Sequence, residues 1–126
     1  MKLLSTRKVF AVGSFLLIHG LAFALDAAEE QKVDTLIQIV RSMREEKFIR
    51  NGQEYDTDKA VRLITYKYNK EKPALTTATE FIEKCAAKSS TTGMPYQIKF
   101  PDGKVQNSED FLKAKLGELE RNGKNP

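Results

Sequence analysis

Phe48-Ile49-Arg50-Asn51-Gly52-Gln53-Glu54-Tyr55 is the segment that most narrows what this chain can fold into. Asn-Gly accepts the positive φ angles of a two-residue type I′ turn, and β-favouring residues flank it on both sides. The segment therefore predicts a β-hairpin with a fixed register. Arg50 faces Gln53, Ile49 faces Glu54, and Phe48 faces Tyr55. An isolated hairpin is marginal in water, so it needs further strands and an apolar layer to rest on.

Both are foreseen elsewhere in the chain. Tyr96, Ile98 and Phe100 alternate with Gln97 and Lys99 as a half-buried strand. Pro101-Asp102-Gly103-Lys104 turns the chain, and Val105 begins a short return strand. Four helices surround these hairpins. Asp26 caps the first, whose apolar face is Val33, Leu36, Ile37, Val40 and Met43, running to about Glu45. Asp56 or Thr57 opens the second, from about Asp58 to Asn69, with Ala60, Leu63, Ile64, Lys67 and Tyr68 inward and the Lys67 head snorkelling to water. Pro73 stops it. Thr77-Ala78-Thr79-Glu80 is a capping box for the third, whose stripe is Ala78, Phe81, Ile82, Cys85 and Ala86. Asn107 or Ser108 opens the last, with Phe111, Leu112, Leu116 and Leu119 inward. Asn122-Gly123 is expected to end it, leaving 121–126 as a frayed tail. The order is α-β-β-α-α-β-β-α. The fold class is α+β: a small antiparallel sheet made from two hairpins, packed against about four helices.

The first 24 residues read differently. Lys2, Arg7 and Lys8 precede an apolar stretch from Val9 to Phe23, and Ala22-Phe23-Ala24 has the small-x-small form of a signal peptidase site. Cleavage after Ala24 leaves a single globular domain over 25–126. A membrane is met only through this segment, were it to remain uncleaved. The division changes the charge argument. The whole chain carries 21 basic and 17 acidic side chains, a net +4 that suggests an acidic partner. Three of the basic groups and none of the acids lie in 1–24, leaving 18 against 17. Nucleic acid thereby loses its support as a partner. The one histidine, His19, leaves with the same segment. Without imidazole, Ser-His-Asp and Cys-His machinery and histidine-ligated zinc are excluded. Neither a metal site nor a cofactor is expected.

At the Asn-Gly hairpin the chain resembles the YfeK-like family, small exported proteins of Gram-negative bacteria grouped under a domain of unknown function. Three blocks carry the resemblance: Phe48-Ile49-Arg50-Asn51-Gly52 with Tyr55; Thr77-Ala78 with Glu80-Phe81-Ile82; and Ser89-Ser90 with Thr92-Gly93 and Pro95-Tyr96. The resemblance implies export to the periplasm and carries no activity with it. It also implies a departure, because many family members have histidine where this chain has Leu63.

Two surfaces stand out as contact sites for an unknown periplasmic protein or a polar small ligand. Arg50, with Tyr55 on the return strand, offers a planar fork for a carboxylate or phosphate. The opposing reading is an exposed cross-strand residue pairing with Gln53 or a nearby acid. Ser89, Ser90 and Thr92, followed by Tyr96, offer hydroxyls and a stacking face. Here the opposing reading is a turn whose hydroxyls satisfy the last carbonyls of the third helix. The favoured function is a non-catalytic binding or accessory module with no catalytic residues. The alternative is a cell-envelope hydrolase, using Ser89 or Ser90 with Lys67 as base, or a carboxylate pair from Glu54, Asp56, Asp58 and Glu80. Cys85 reads as a buried hydrophobe.

Overall fold

A computed structural model describes residues 24–124. The expected signal segment lies outside the described residues, save Ala24. Helix α1 spans Ala27–Arg41, with Asp26 accepting the Glu29 amide at 2.8 Å. Its buried face is Val33, Leu36, Ile37 and Val40. The helix stops four residues before the expected end. Ser42 donates its hydroxyl back to the Ile39 carbonyl, and Thr57, itself buried, donates its own to the Met43 carbonyl. Met43 is buried all the same, beyond the helix rather than on it.

Strands β1 (Lys47–Arg50) and β2 (Gln53–Tyr55) form the hairpin in the expected register. Asn51 and Gly52 both take positive φ, at 53° and 78°, as a type I′ turn requires. Helix α2 (Thr57–Glu71) follows, capped by Asp56, and a 3₁₀ turn over Lys72–Ala74 contains Pro73. Helix α3 (Ala78–Cys85) carries both halves of its capping box. Strands β3 (Gln97–Lys99) and β4 (Val105–Asn107) precede helix α4 (Ser108–Lys124). The element order is the expected one. The two hairpins join through β1 and β3 into one antiparallel sheet, β2-β1-β3-β4. Both edge strands are three residues long, too short to invite pairing with another chain.

Three expectations need correction. Asn122-Gly123 does not end α4, which continues to Lys124, and Gly123 lacks the positive φ of a terminating glycine. The inner face of α2 takes in Thr57 and Val61, while Leu63 is only half-buried. The stripe widens because α2 packs against α1, α3 and β1. Lys67 does not snorkel: the residue is 8% exposed and its ammonium is held inside the protein.

Phe81, Leu36, Leu75, Ile82, Ile98 and Leu112 are almost completely buried and join the helices to the inner sheet face. Glu29 ties two helices together at the edge of this core. One carboxylate oxygen accepts from Lys32 at 2.7 Å and the other from the Ala78 amide at the start of α3, at 2.8 Å. The Lys32 hydrogen bond, then the Ala78 one, hold the Glu29 carboxyl below its ordinary 4.5. A depressed carboxyl stabilises the fold above the unfolded-state value, and that contribution is lost as pH falls through the folded one. The Tm advantage of the wild type over Glu29→Gln is therefore expected to shrink as pH falls from 6 to 3. An advantage that stays constant across that range would contradict this role for Glu29.

Candidate functional site

Antiparallel pairing aligns Phe48 with Tyr55 on one side and with Ile98 on the other, so all three share the sheet face that meets the helices. Arg50, two residues along β1, and Tyr96, just before β3, continue that face. α2 crosses it, presenting Lys59, Ala60, Leu63 and Ile64 at turn-by-turn spacing. A cavity of about 200 Å³ remains between sheet and helix. Phe48, Ala60, Leu63 and Ile64 give apolar walls, and Arg50, Tyr55 and Tyr96 complete them. Ile49, Lys59, Gln97 and Ser108 also line the cavity, and no carboxylate does. Leu63 is thus a wall residue.

Arg50 is the unusual member. Its Nε is buried, and among the described residues it has no hydrogen-bond partner. The acids on neighbouring segments are engaged elsewhere. Glu54 pairs with Lys99 at 3.1 Å, Asp58 with Arg44 at 3.1 Å, and Asp56 accepts the Lys59 amide at 2.9 Å. A buried donor without an acceptor costs about 1–3 kcal/mol. A second cation lines the cavity, Lys59, whose ammonium lies 5.5 Å from the centre of the Tyr55 ring. Reading Arg50 as an exposed residue satisfied by Gln53 therefore fails. Gln53 is its backbone partner, yet its side-chain oxygen accepts from the Tyr55 hydroxyl at 3.3 Å.

The hydroxyl loop does not share this cavity. Ser89 and Ser90 line a separate, open cleft with Lys67, Glu71, Glu83, Lys84 and Lys88, and Thr92 lines neither. Tyr96 is the partition. Its ring lines the cavity, while its hydroxyl accepts from Lys67 Nζ at 3.1 Å, and Lys67 lines the cleft. Lys67 also donates to the Lys88 carbonyl at 3.0 Å and stands 5.0 Å from the Tyr96 ring centre. These contacts compensate a buried ammonium that has no carboxylate partner among the described residues.

Two unforeseen contacts explain the loop. Asn51, at the hairpin tip, donates to Ser89 Oγ at 3.4 Å and accepts from Thr92 Oγ1 at 2.5 Å. Ser89 Oγ, 1% exposed as a residue, also accepts the Thr91 and Thr92 amides at 3.3 and 3.4 Å. The hydroxyls therefore shape their own turn rather than cap α3. The Ala86 carbonyl near the end of α3 is instead met by the hydroxyl of Ser108, at 2.9 Å. Ser89 Oγ engages the Asn51 side, whereas Lys67 points to Lys88 and Tyr96, so the nucleophile–base contact of a Ser-Lys pair is not formed. The candidate carboxylate pair also disperses: Glu54 and Asp58 form the ion pairs above, Asp56 caps α2, and Glu80 accepts the Thr76 and Thr77 amides. Among the described residues no three metal-ligating side chains cluster, and no helix is long and apolar enough to cross a membrane.

Comparison with known proteins was informative about kinship. A family model described as a family of unknown function, DUF5329, matches residues 27–120. The uncharacterized protein YfeK of Salmonella typhimurium (strain LT2) is 31% identical over 88 residues, which cover 70% of this chain and 73% of that protein. No solved structure matches.

Proposed function

Starting from a chain that belongs to DUF5329, a family of unknown function, we propose a non-catalytic binding module of the periplasm. Its ligand enters the cavity between β1, β2 and α2. The observation that carries this reading is the cavity itself, whose largely apolar wall includes Arg50 and Lys59 and no carboxylate. Small-molecule sites have this composition: apolar walls with few polar groups aimed inward. Export rests on the sequence of residues 1–24, and the near-neutral charge of the remainder gives no ground for a nucleic-acid partner. Ser89, Lys67 and the candidate carboxylates are engaged in the structural contacts described above, while Ser90 is exposed and Lys67 donates to Lys88 and Tyr96 instead.

Native mass spectrometry of protein purified from the periplasmic fraction tests both parts. The expected species begins at Leu25 and carries a small-molecule adduct that Arg50→Met loses. Recovery only in the cytoplasm would overturn the location. Identical adduct-free spectra for both proteins would overturn the binding role.

A further inference from the structure

Resting on the reading of the cavity as a binding site, we infer that its ligand is a small amphiphilic monocarboxylate, an acid with a short unbranched apolar tail. Three observations carry the assignment. The cavity wall includes the Arg50 guanidinium, whose Nε has no hydrogen-bond partner among the described residues. A guanidinium can offer parallel N–H donors to a carboxylate, the bidentate geometry at which arginine excels. The charges around it are one-sided: Arg50 and Lys59 line the cavity and no acid does. One guanidinium inside the cavity matches one carboxylate, leaving a neutral tail for the walls of Phe48, Ala60 and Ile64.

Size limits the tail. About 200 Å³ holds roughly seven groups of water size at ~30 Å³ each. A chain of six to eight carbons fits, and a drug-sized molecule of the ~300–1,000 Å³ class does not. A peptide ending in an apolar residue shares the head-group chemistry but finds no long strand edge beside Tyr55 to pair with. Among the described residues the strand edge at Tyr55 is that of β2, which ends at once in the Asp56 cap of α2. A free acid is therefore the better occupant.

The test is calorimetric titration of the protein with octanoate, 1-octanol and a leucine-terminated pentapeptide. Octanoate is expected to bind at least tenfold more tightly than octanol. Arg50→Met should abolish that ratio while leaving octanol binding, and Arg50→Lys, which keeps the charge without the fork, should retain part of it. Circular dichroism confirms that each variant is folded. Equal affinity for octanoate and octanol overturns the carboxylate assignment and leaves the cavity as a binding site. A pentapeptide that binds more tightly than octanoate overturns the free-acid assignment. Absence of binding by all three overturns the assignment, and only an adduct-free spectrum in the preceding experiment removes the binding role as well.

Discussion

Phe81→Ala is expected to lower the unfolding free energy by about 3–5 kcal/mol, the range for deleting a buried phenyl ring. Phe81 is 1% exposed, and its ring meets Tyr68 edge-to-face with centroids 5.3 Å apart. Tyr68 belongs to α2 and Phe81 to α3, so the lost ring opens a void where the two helices meet. Backbone on both sides is helical and cannot collapse into the gap, which places the cost toward the upper end. Small domains are stable by only about 5–15 kcal/mol, so the variant is marginal at physiological temperature. Phe81→Leu keeps most of the volume and should cost clearly less. Urea denaturation followed by far-ultraviolet circular dichroism measures both. A loss under about 1 kcal/mol for Phe81→Ala would mean that this contact is not part of the main core.

The second large effect concerns Cys85. Its side chain is fully buried, and burial pushes the thiol from an ordinary 9.0 up to about 11. The thiolate is the reactive form, so at pH 8 this shift alone reduces its population by about a hundredfold. Access adds to it, because a reagent reaches Cys85 only through opening of the fold. Labelling of the native protein at pH 8 is expected to be more than ~1,000-fold slower than in 6 M urea. Comparable rates in the two conditions would place the thiol at the surface. The sign of the pH dependence follows from the same burial. A thiol whose folded value is raised stabilises the fold fully below the unfolded value, and that contribution disappears as pH rises through the folded one. Between pH 9 and 11 the wild type should therefore lose Tm more steeply than Cys85→Ala.

The parts of this fold that are legible in the sequence are those decided locally. Asn51-Gly52 determines its turn through backbone sterics alone, and the register of β1 and β2 follows from that turn. Thr77 and Glu80 specify a helix start within four residues. Ser42 shows the limit of such reading. Apolar spacing carries the first helix on to Met43 and beyond, but a hydroxyl from Thr57, fourteen positions along, takes the Met43 carbonyl and the chain leaves the helix. Leu75 escapes local reading for a related reason. It follows Pro73, where no periodic pattern marks it, yet it is fully buried.

The candidate site was half legible. Arg50, Tyr55 and Tyr96 were identifiable from residue type and position, and they do line one cavity. Ser89, Ser90 and Thr92 attracted notice for their hydroxyls, but those of Ser89 and Thr92 meet Asn51, a partner 38 and 41 positions away. A turn-forming asparagine conceals its second role, because the same αL conformation that makes the hairpin also aims its amide at the loop. Nor does spacing reveal a buried lysine. The apolar face of α2 includes Lys67 either way, and only the position of Tyr96 decides that the ammonium stays inside. The cavity itself depends on how α2 crosses the sheet, which no local pattern records.

The central claim, that the Arg50 cavity is where this protein meets its ligand, is tested most directly by amide chemical-shift mapping with octanoate. Saturable shifts are expected at Phe48–Arg50, Tyr55, Ala60–Ile64 and Tyr96–Gln97, with the Ser89–Gly93 loop undisturbed. Shifts concentrated on the Ser89–Gly93 loop and the Lys67 cleft, with the cavity residues unmoved, would contradict it.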